Sequence, residues 1–389
     1  MKDVSVIIPT FHFADVAKQV LLSALQQTLP PKEIIIIDSS QDDSILDLVS
    51  SLESKIPINY QKVAQSFPGE ARNLGAAFAN YAWLAFLDSK TIPKSNWLES
   101  NFDTLEANNL DVVFGTTKYL AETGFQKALR ACVFGLKNIE TTPGSIIQKS
   151  HFDSIGGFRE GVRTGDDMEW RQVIKRSHLN FITPNRTSLT YNELPKKLLP
   201  TLKRFFIYQL HGTKVDIQST SKNIMFSFFL IFLTILIPKW NSIVGWEESA
   251  LYFPNITKLY VSVLSVLSIF ALVAKRDWLI RNTNSILGFA IVFSALIVFF
   301  FIATSWNAAV AGWVEDSVLY FPHVTKVYIS LALSGSVIYR GIYFPLKNGI
   351  TLAELFPFWW LKVGMLGFIL DIAKAPGYVL GAMLKIFSK

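Results

Sequence analysis

Residues Glu33–Ser40 read EIIIIDSS. Four consecutive isoleucines are β-branched throughout and do not alternate with polar residues. That is the pattern of a parallel strand covered on both faces. The same reading extends outward. Upstream, VSVIIPTF (Val4–Phe11) reads as a strand ending at Pro9, and FADVAKQVLLSALQQ (Phe13–Gln27) places Val16, Val20, Leu21 and Leu25 on one side at helical spacing. Downstream, SILDLVSSL predicts a helix, INYQKV a strand, GEARNLGAAFANYA a helix and WLAFLD a strand. Strand and helix alternate, so the expected class is α/β, Rossmann-like, with a mainly parallel sheet. Thr10, Asp38 and Asp88 stand at the carboxyl ends of these strands, the edge at which open α/β sheets hold ligands.

The 389 residues suffice for two domains. Half are hydrophobic, and the apolar residues gather after Asn223 in runs such as NIMFSFFLIFLTILIP and SILGFAIVFSALIVFFFIATS. Such runs have the composition of bilayer segments. WNSIVGWEESALYFPNITKLY (Trp240–Tyr260) recurs as WNAAVAGWVEDSVLYFPHVTKVY (Trp306–Tyr328), each copy between two apolar runs. The expected topology is two repeated hairpins, an all-α transmembrane region of about four helices centred near 223–237, 259–274, 285–305 and 327–346. Lys275, Arg276, Arg281, Arg340 and Lys347 mark one side of these spans, and Glu247, Glu248, Glu315 and Asp316 the other. The positive-inside rule then places the N-terminal domain in the cytoplasm and the chain as integral to the inner membrane. The spans carry few ionisable groups, which suits an anchor better than a transport path.

LPKKLLPTLKRFFIYQLHGT (Leu194–Thr213) has Lys and Arg on one side and Leu, Phe and Ile on the other, and reads as an interfacial amphipathic helix. Asp371, Lys374 and Pro376 favour interfacial helices for the tail over a fifth span. The expected division is therefore 1–193 for the cytoplasmic domain, 194–220 for an amphipathic linker, 221–348 for the membrane region and 349–389 for the tail. The net charge of +7 lies beside apolar runs, as in KKLLPTLKRFF and AKRDWLIR, which points to a membrane surface and not to nucleic acid. The single cysteine, Cys132, excludes an internal disulfide and a Cys-rich metal site, and reads as a small buried hydrophobe. The chain opens directly as a strand, so no cleavable signal peptide is expected.

Chemistry concentrates in a few segments. Asp38 ends the second strand, placed to hydrogen-bond a ribose or base. GEARNLGAA offers Arg72, a cation suited to phosphate, and Gly75, which lets a helix pack closely. FLDSKTIPKSNWLE carries Asp88 and Lys90. In SIGGFREGVRTGDDMEWRQVIKRS, Gly156 and Gly157 make a tight turn, and Asp166 and Asp167 start a helix whose dipole keeps carboxylates ionised. A carboxylate there can serve as general base toward an attacking hydroxyl. Any one of these acids alone reads equally as a helix cap or turn residue; the order and spacing of the set point to one site.

Together VSVIIPTF, SALQQTLPPKEIIIIDSS, GEARNLGAA, FLDSKTIPKSNWLE, GGFRE and GDDMEW resemble the inverting family-two glycosyltransferases, of nucleotide-diphosphosugar transferase A-type fold, over residues 1 to about 215. The resemblance implies sugar transfer from a nucleotide-diphosphate sugar donor to a lipid-linked or glycan acceptor at the cytoplasmic membrane face. It implies that Pro9, Thr10, Phe11, Asp38, Ser39, Arg72 and Asn73 hold the donor, with Asp88 and Lys90 near its diphosphate. It makes Asp167 the base, beside Asp166, and places Glu169 and Trp170 at the acceptor. Lys90 departs from the family pattern, which usually has there the second Asp of an Asp-x-Asp motif, a direct ligand of Mg²⁺ or Mn²⁺. Three readings follow: Lys90 partly replaces the cation, a metal is still bound through Asp88 and other groups, or the site is inactive. Two rival classes also stand. One is a processive polysaccharide synthase, whose Gln-x-x-Arg-Trp signature is missing; the other is a non-catalytic membrane scaffold that binds nucleotide sugars.

Overall fold

Every residue of β2 (Glu33–Asp38) is buried, and its isoleucines divide between two cores. Ile34 and Ile36 share one with Val4, Val6 and Ile8 of β1 (Val4–Thr10), packed against α1 (Ala14–Leu25), α2 (Ser44–Ser50) and α4 (Trp97–Asn108). Ile35 and Ile37 share the other with Ile7, Leu84 and Phe86, packed against α3 (Pro68–Phe78), α6 (Lys149–Ser154) and α7 (Asp166–Arg176). The unbroken isoleucine run is thus the signature of double coverage. Burying each such side chain stabilises the fold by about 1.5–3 kcal/mol. At Gly75 an added Cβ would collide with the Ile7 side chain, so α3 lies as close to β1 as the sequence implied.

This computed structural model describes residues 2–12, 14–212, 215 and 335–387. Their nine-stranded sheet has the order β3-β2-β1-β4-β7-β6-β9-β5. Here β3 is Ile58–Lys62, β4 Trp83–Phe86, β5 Thr91–Pro93, β6 Val112–Tyr119, β7 Ile139–Gln148 and β9 Leu189–Tyr191, and β8 (Phe181–Ile182) pairs with β6. The block β3-β2-β1-β4 is parallel. At β7 the direction reverses, because β7 runs antiparallel to both β4 and β6. Thr10 pairs with Asp38 across the end of β1 and β2, so the two residues share one sheet edge.

A third core lies over α5 (Gly124–Val133). Ala128, Leu129, Ala131 and Cys132 pack there against Ile350, Leu355, Val363, Leu366 and Leu370. These last residues come from the segment that runs through a π-helical turn at Tyr339–Tyr343, α9 (Phe344–Lys347), α10 (Leu352–Leu355) and α11 (Trp359–Phe387). Before it in sequence, α8 (Leu198–Gly212) also packs on α11. Cys132 is fully buried, as its reading as a small hydrophobe anticipated.

The expected fold class is corrected. The sheet is mixed, parallel in its first half and antiparallel around β7, because β6 and β7 form a hairpin-like pair inserted beside β4. Among the described residues no helix is long and apolar enough to cross a membrane, so the expected transmembrane region of about four helices is not found there. The spans expected near 223–237, 259–274 and 285–305, and the first part of the fourth near 327–346, lie outside the described residues; the rest of the fourth runs through the π-helical turn into α9. The inner-membrane orientation rested on those spans and is not carried further.

Candidate active site

Arg72 is the hub of the site. It projects from the second turn of α3 and is almost wholly buried. One guanidinium nitrogen donates to Asp166 Oδ2 at 2.8 Å and another to Asp88 Oδ1 at 2.5 Å. The face of the guanidinium lies 5.2 Å from the centroid of the Phe158 ring. Asp88 follows β4 and Asp166 opens α7, so this one side chain ties a strand end to a helix start. The two acids are not alike. Asp88 has a side chain 40% exposed, against 4% for Asp166. Burial pushes the Asp166 carboxyl up to about 6, against the pull of Arg72 and with the repulsion of Asp167 and Asp88. The helix dipole does not keep Asp166 at an ordinary carboxylate value; desolvation outweighs it.

Two local features bring α3 and α7 together. Glu70 accepts a hydrogen bond from the backbone N–H of Phe67, closing the first turn of α3, and another from Gly161 in the loop before α7. At Gly69 a Cβ would stand 2.7 Å from the Arg159 carbonyl oxygen and 3.2 Å from Asp166, so only glycine permits this approach. The tight turn expected at Gly156 and Gly157 is present, with φ of +83° and +68°.

A cavity of about 610 Å³ opens in front of this cluster. Arg72, Asp88, Asp166 and Asp167 line one wall of it. Asp167 is 34% exposed; its Oδ2 lies 3.3 Å from Arg171, and its backbone carbonyl accepts from the Thr142 hydroxyl at 3.0 Å. The side chain is therefore held from behind, on α7 and β7, while its carboxylate remains accessible. Lys90, in the turn between β4 and β5, is half-buried, and burial and the nearby Arg204 push its pKa down, with Glu193 and Asp88 opposing.

The remaining expected site residues divide. At the β1–β2 edge, Pro9, Thr10, Phe11, Asp38 and Ser39 lie together but do not line the cavity. Phe11 is exposed. Asp38 is fully buried and accepts from Thr10 at 3.1 Å, the Ser40 hydroxyl at 2.5 Å and Tyr60 at 2.8 Å. Burial alone would raise its pKa, but the hydroxyl and amide of Ser40, with Tyr60 and Thr10, hold it below the usual value. Both Asp38 oxygens are thus engaged by the protein. Asn73 pins the loop after Gly157, its amide donating to the Phe158 carbonyl and accepting from the Phe158 N–H, each at 2.8 Å. Glu169 pairs with Arg159 at 3.2 Å. Trp170 is corrected: it is 1% exposed in the core among Phe86, Phe114, Phe152 and Phe158, and does not line the cavity.

Sequence reasoning overlooked the second wall of the cavity. Arg204 of α8 turns inward and donates to Tyr208 at 2.8 Å and to Tyr191 at 3.1 Å, so the basic side of that helix is not all surface. Arg340, Asp371 and Lys374 also line the cavity. A buried Asp–Lys pair three residues apart in an apolar helix was the available signal, since buried charges need partners.

A divalent cation requires several oxygen ligands. The one carboxylate at the expected position, Asp88, is paired to Arg72, and the residue two further on is a lysine. Among the described residues no three or more His, Cys, Asp or Glu side chains come together as a metal site. These side chains do not fit a dedicated Mg²⁺ or Mn²⁺ site.

Residues 5–165 match the model of glycosyl transferase family 2. The chain is 25% identical over 181 residues to the glycosyltransferase AglE of Haloferax volcanii, a match covering 43% of this chain and 59% of that protein. It is 35% identical over 197 residues to an uncharacterized glycosyltransferase of Rickettsia felis, covering 46% and 31%. With the poly(ribitol-phosphate) beta-N-acetylglucosaminyltransferase TarP of Staphylococcus aureus it shares 26% over 192 residues, covering 48% and 55%. The matches span less than two thirds of the length of these relatives. A crystal structure of S. aureus TarS 1–349 in complex with UDP superposes with a TM-score of 0.42 at 14% identity, over 79% of this chain and 92% of that one.

Proposed function

From the family-2 match and the Arg72-centred acidic cluster, we propose that this chain is an inverting glycosyltransferase. It moves a sugar from a nucleotide-diphosphate sugar to a hydroxyl of a lipid-linked or glycan acceptor. The observation that carries the reading is the partly exposed Asp167 carboxylate lining a cavity whose wall also bears Asp88, Arg72 and Asp166.

In the proposed reaction the acceptor hydroxyl loses its proton to Asp167 as its oxygen attacks the anomeric carbon. The bond to the diphosphate oxygen breaks on the opposite side, and the nucleoside diphosphate leaves with the electron pair. Lys90 neutralises the developing charge on that leaving group, as a fixed cation does in other transition states of this kind. Arg72 holds Asp88 and Asp166 in place while its charge faces the same region. Donor contacts at the β1–β2 edge fall to Thr10, Phe11 and Ser39; Asp38 shapes that edge from beneath.

The test is release of UDP or GDP from a panel of nucleotide sugars by the purified chain. Release above a protein-free control supports an enzyme; its absence across the panel supports the non-catalytic scaffold. Repeating the assay with EDTA and with Lys90→Ala separates the two charge-neutralising schemes. The proposed scheme expects activity that survives EDTA and falls sharply in Lys90→Ala. Full EDTA sensitivity would reject it. Product length separates single transfer from polymerisation.

A further inference from the structure

The cavity wall opposite in charge to the Asp167 wall is built by α8 and the C-terminal elements. It carries three cations, Arg204, Arg340 and Lys374, and one carboxylate, Asp371. Arg340 grips Asp371 with two hydrogen bonds, at 2.9 and 2.8 Å, and a third nitrogen donates to the Cys132 carbonyl at 3.3 Å. Lys374 donates to the same Asp371 Oδ1 at 3.2 Å, and its ammonium lies 4.9 Å from the Phe205 centroid. Arg204 is satisfied by tyrosine hydroxyls, which bring no charge. Among the described residues of this wall one carboxylate stands with three cations, a surplus of two positive charges on a wall that is largely withdrawn from water. Asp371 and Lys374 are both buried.

Uncompensated buried charge is costly unless a ligand completes it. Burial pushes the Lys374 pKa down against the pull of Asp371, and the neighbouring Arg340 adds to the lowering. An anion in the cavity would reverse that pressure. A sugar hydroxyl would not, because it brings no charge. The surplus of two matches a phosphate ester, which also uses the donors left on an ammonium holding one hydrogen bond among the described residues. Apolar side chains stand beside the cations: Leu129, Val133, Phe205 and Phe344 line the same space.

We infer that this wall is the acceptor subsite, and that it binds a phosphate ester carried by the acceptor. The inference rests on the transferase reading for the word acceptor, and on the charge count for the phosphate. The acceptor phosphate then lies against Lys374, while the donor diphosphate stays with Lys90, which does not line this cavity.

The test is equilibrium binding of hexyl phosphate, glycerol phosphate and hexanol to the purified full chain by calorimetry. Wild type should bind both phosphate esters and not hexanol. Loss of one charge-assisted hydrogen bond in Lys374→Gln should weaken hexyl phosphate about tenfold or more. Lys374→Arg, which keeps the charge, should stay close to wild type and guards against a folding artefact. A clear preference for hexyl over glycerol phosphate identifies a lipid phosphate as the source, and equal binding identifies a phosphate within a polyol chain. Unchanged affinity in Lys374→Gln, or hexanol binding as well as hexyl phosphate, overturns the subsite. So does loss of binding in Lys90→Ala with retention in Lys374→Gln, which would put the phosphate at the donor position. If no nucleotide sugar is turned over while hexyl phosphate binding still depends on Lys374, the transferase reading fails and the anion site stands.

Discussion

The two walls of the cavity are built on inverse plans. On the sheet side one arginine, Arg72, stands between two aspartates, Asp88 and Asp166, with Asp167 beside them. On the C-terminal side one aspartate, Asp371, stands between two cations, Arg340 and Lys374, with Arg204 in the same wall. The first wall is short of positive charge and the second has a surplus. A proton acceptor belongs on the first and an anionic group on the second. The comparison also separates what each hub does structurally. Arg72, within residues 5–165, joins a strand end to the helix start at Asp166 next to them, whereas Asp371 joins α11 to the turn at Tyr339–Tyr343, far outside that match.

The most severe way to break the contrast is to neutralise the exposed acid. Asp167→Asn should lower turnover by roughly 10²–10⁴ while leaving donor binding intact. Steady-state rates and calorimetric donor affinity check both halves; turnover near wild type would move the base elsewhere. Next come the hubs. Arg72→Ala and Asp371→Asn each leave buried charge without its partner and should each destabilise the fold by about 3–5 kcal/mol. Urea unfolding reads this, and only the Arg72 variant should also weaken donor binding.

Gly69→Ala has a smaller expected effect. Its Cβ meets the Arg159 carbonyl, and relieving that contact by shifting α3 from α7 should cost about 1–3 kcal/mol. An unchanged melting temperature would show that Arg72 and Asp166 do not depend on this approach.

The smallest effect is a pH slope. In the folded state Asp166 titrates at about 6, above its ordinary 3.8, so across that window the folded chain holds a proton that the unfolded chain has released. Stability should therefore fall as pH rises through the window. Asp38, whose value is lowered, contributes the opposite trend, with stability lost as pH falls below its ordinary 3.8. The difference in urea midpoint between wild type and Asp166→Asn isolates the Asp166 part; a difference that does not change with pH would contradict it.

Legibility followed the same division. The isoleucine run of β2, the close packing at Gly75 and the converging acids were readable because local pattern and position in an α/β sheet decide them. The antiparallel insertion at β7 was not, because strand direction depends on partners far away in sequence: Leu84 pairs with Ile147. Trp170 was misplaced because a helix start next to a site gives no hint of which way its fifth residue turns. It turns inward, onto an aromatic core from β4, β6 and α6. Arg340 was read as a marker of the inner end of a span, and Asp371, with Lys374 and Pro376, as a sign of interfacial tail helices. Their pairing across 31 residues is a tertiary fact.

The central claim is that one accessible carboxylate drives a single displacement at the anomeric carbon. The most direct measurement is the anomeric configuration of the first-formed product, read by proton NMR during transfer from a donor of known configuration. The account predicts inversion. Retention would rule out a single in-line displacement and would contradict the role given to Asp167.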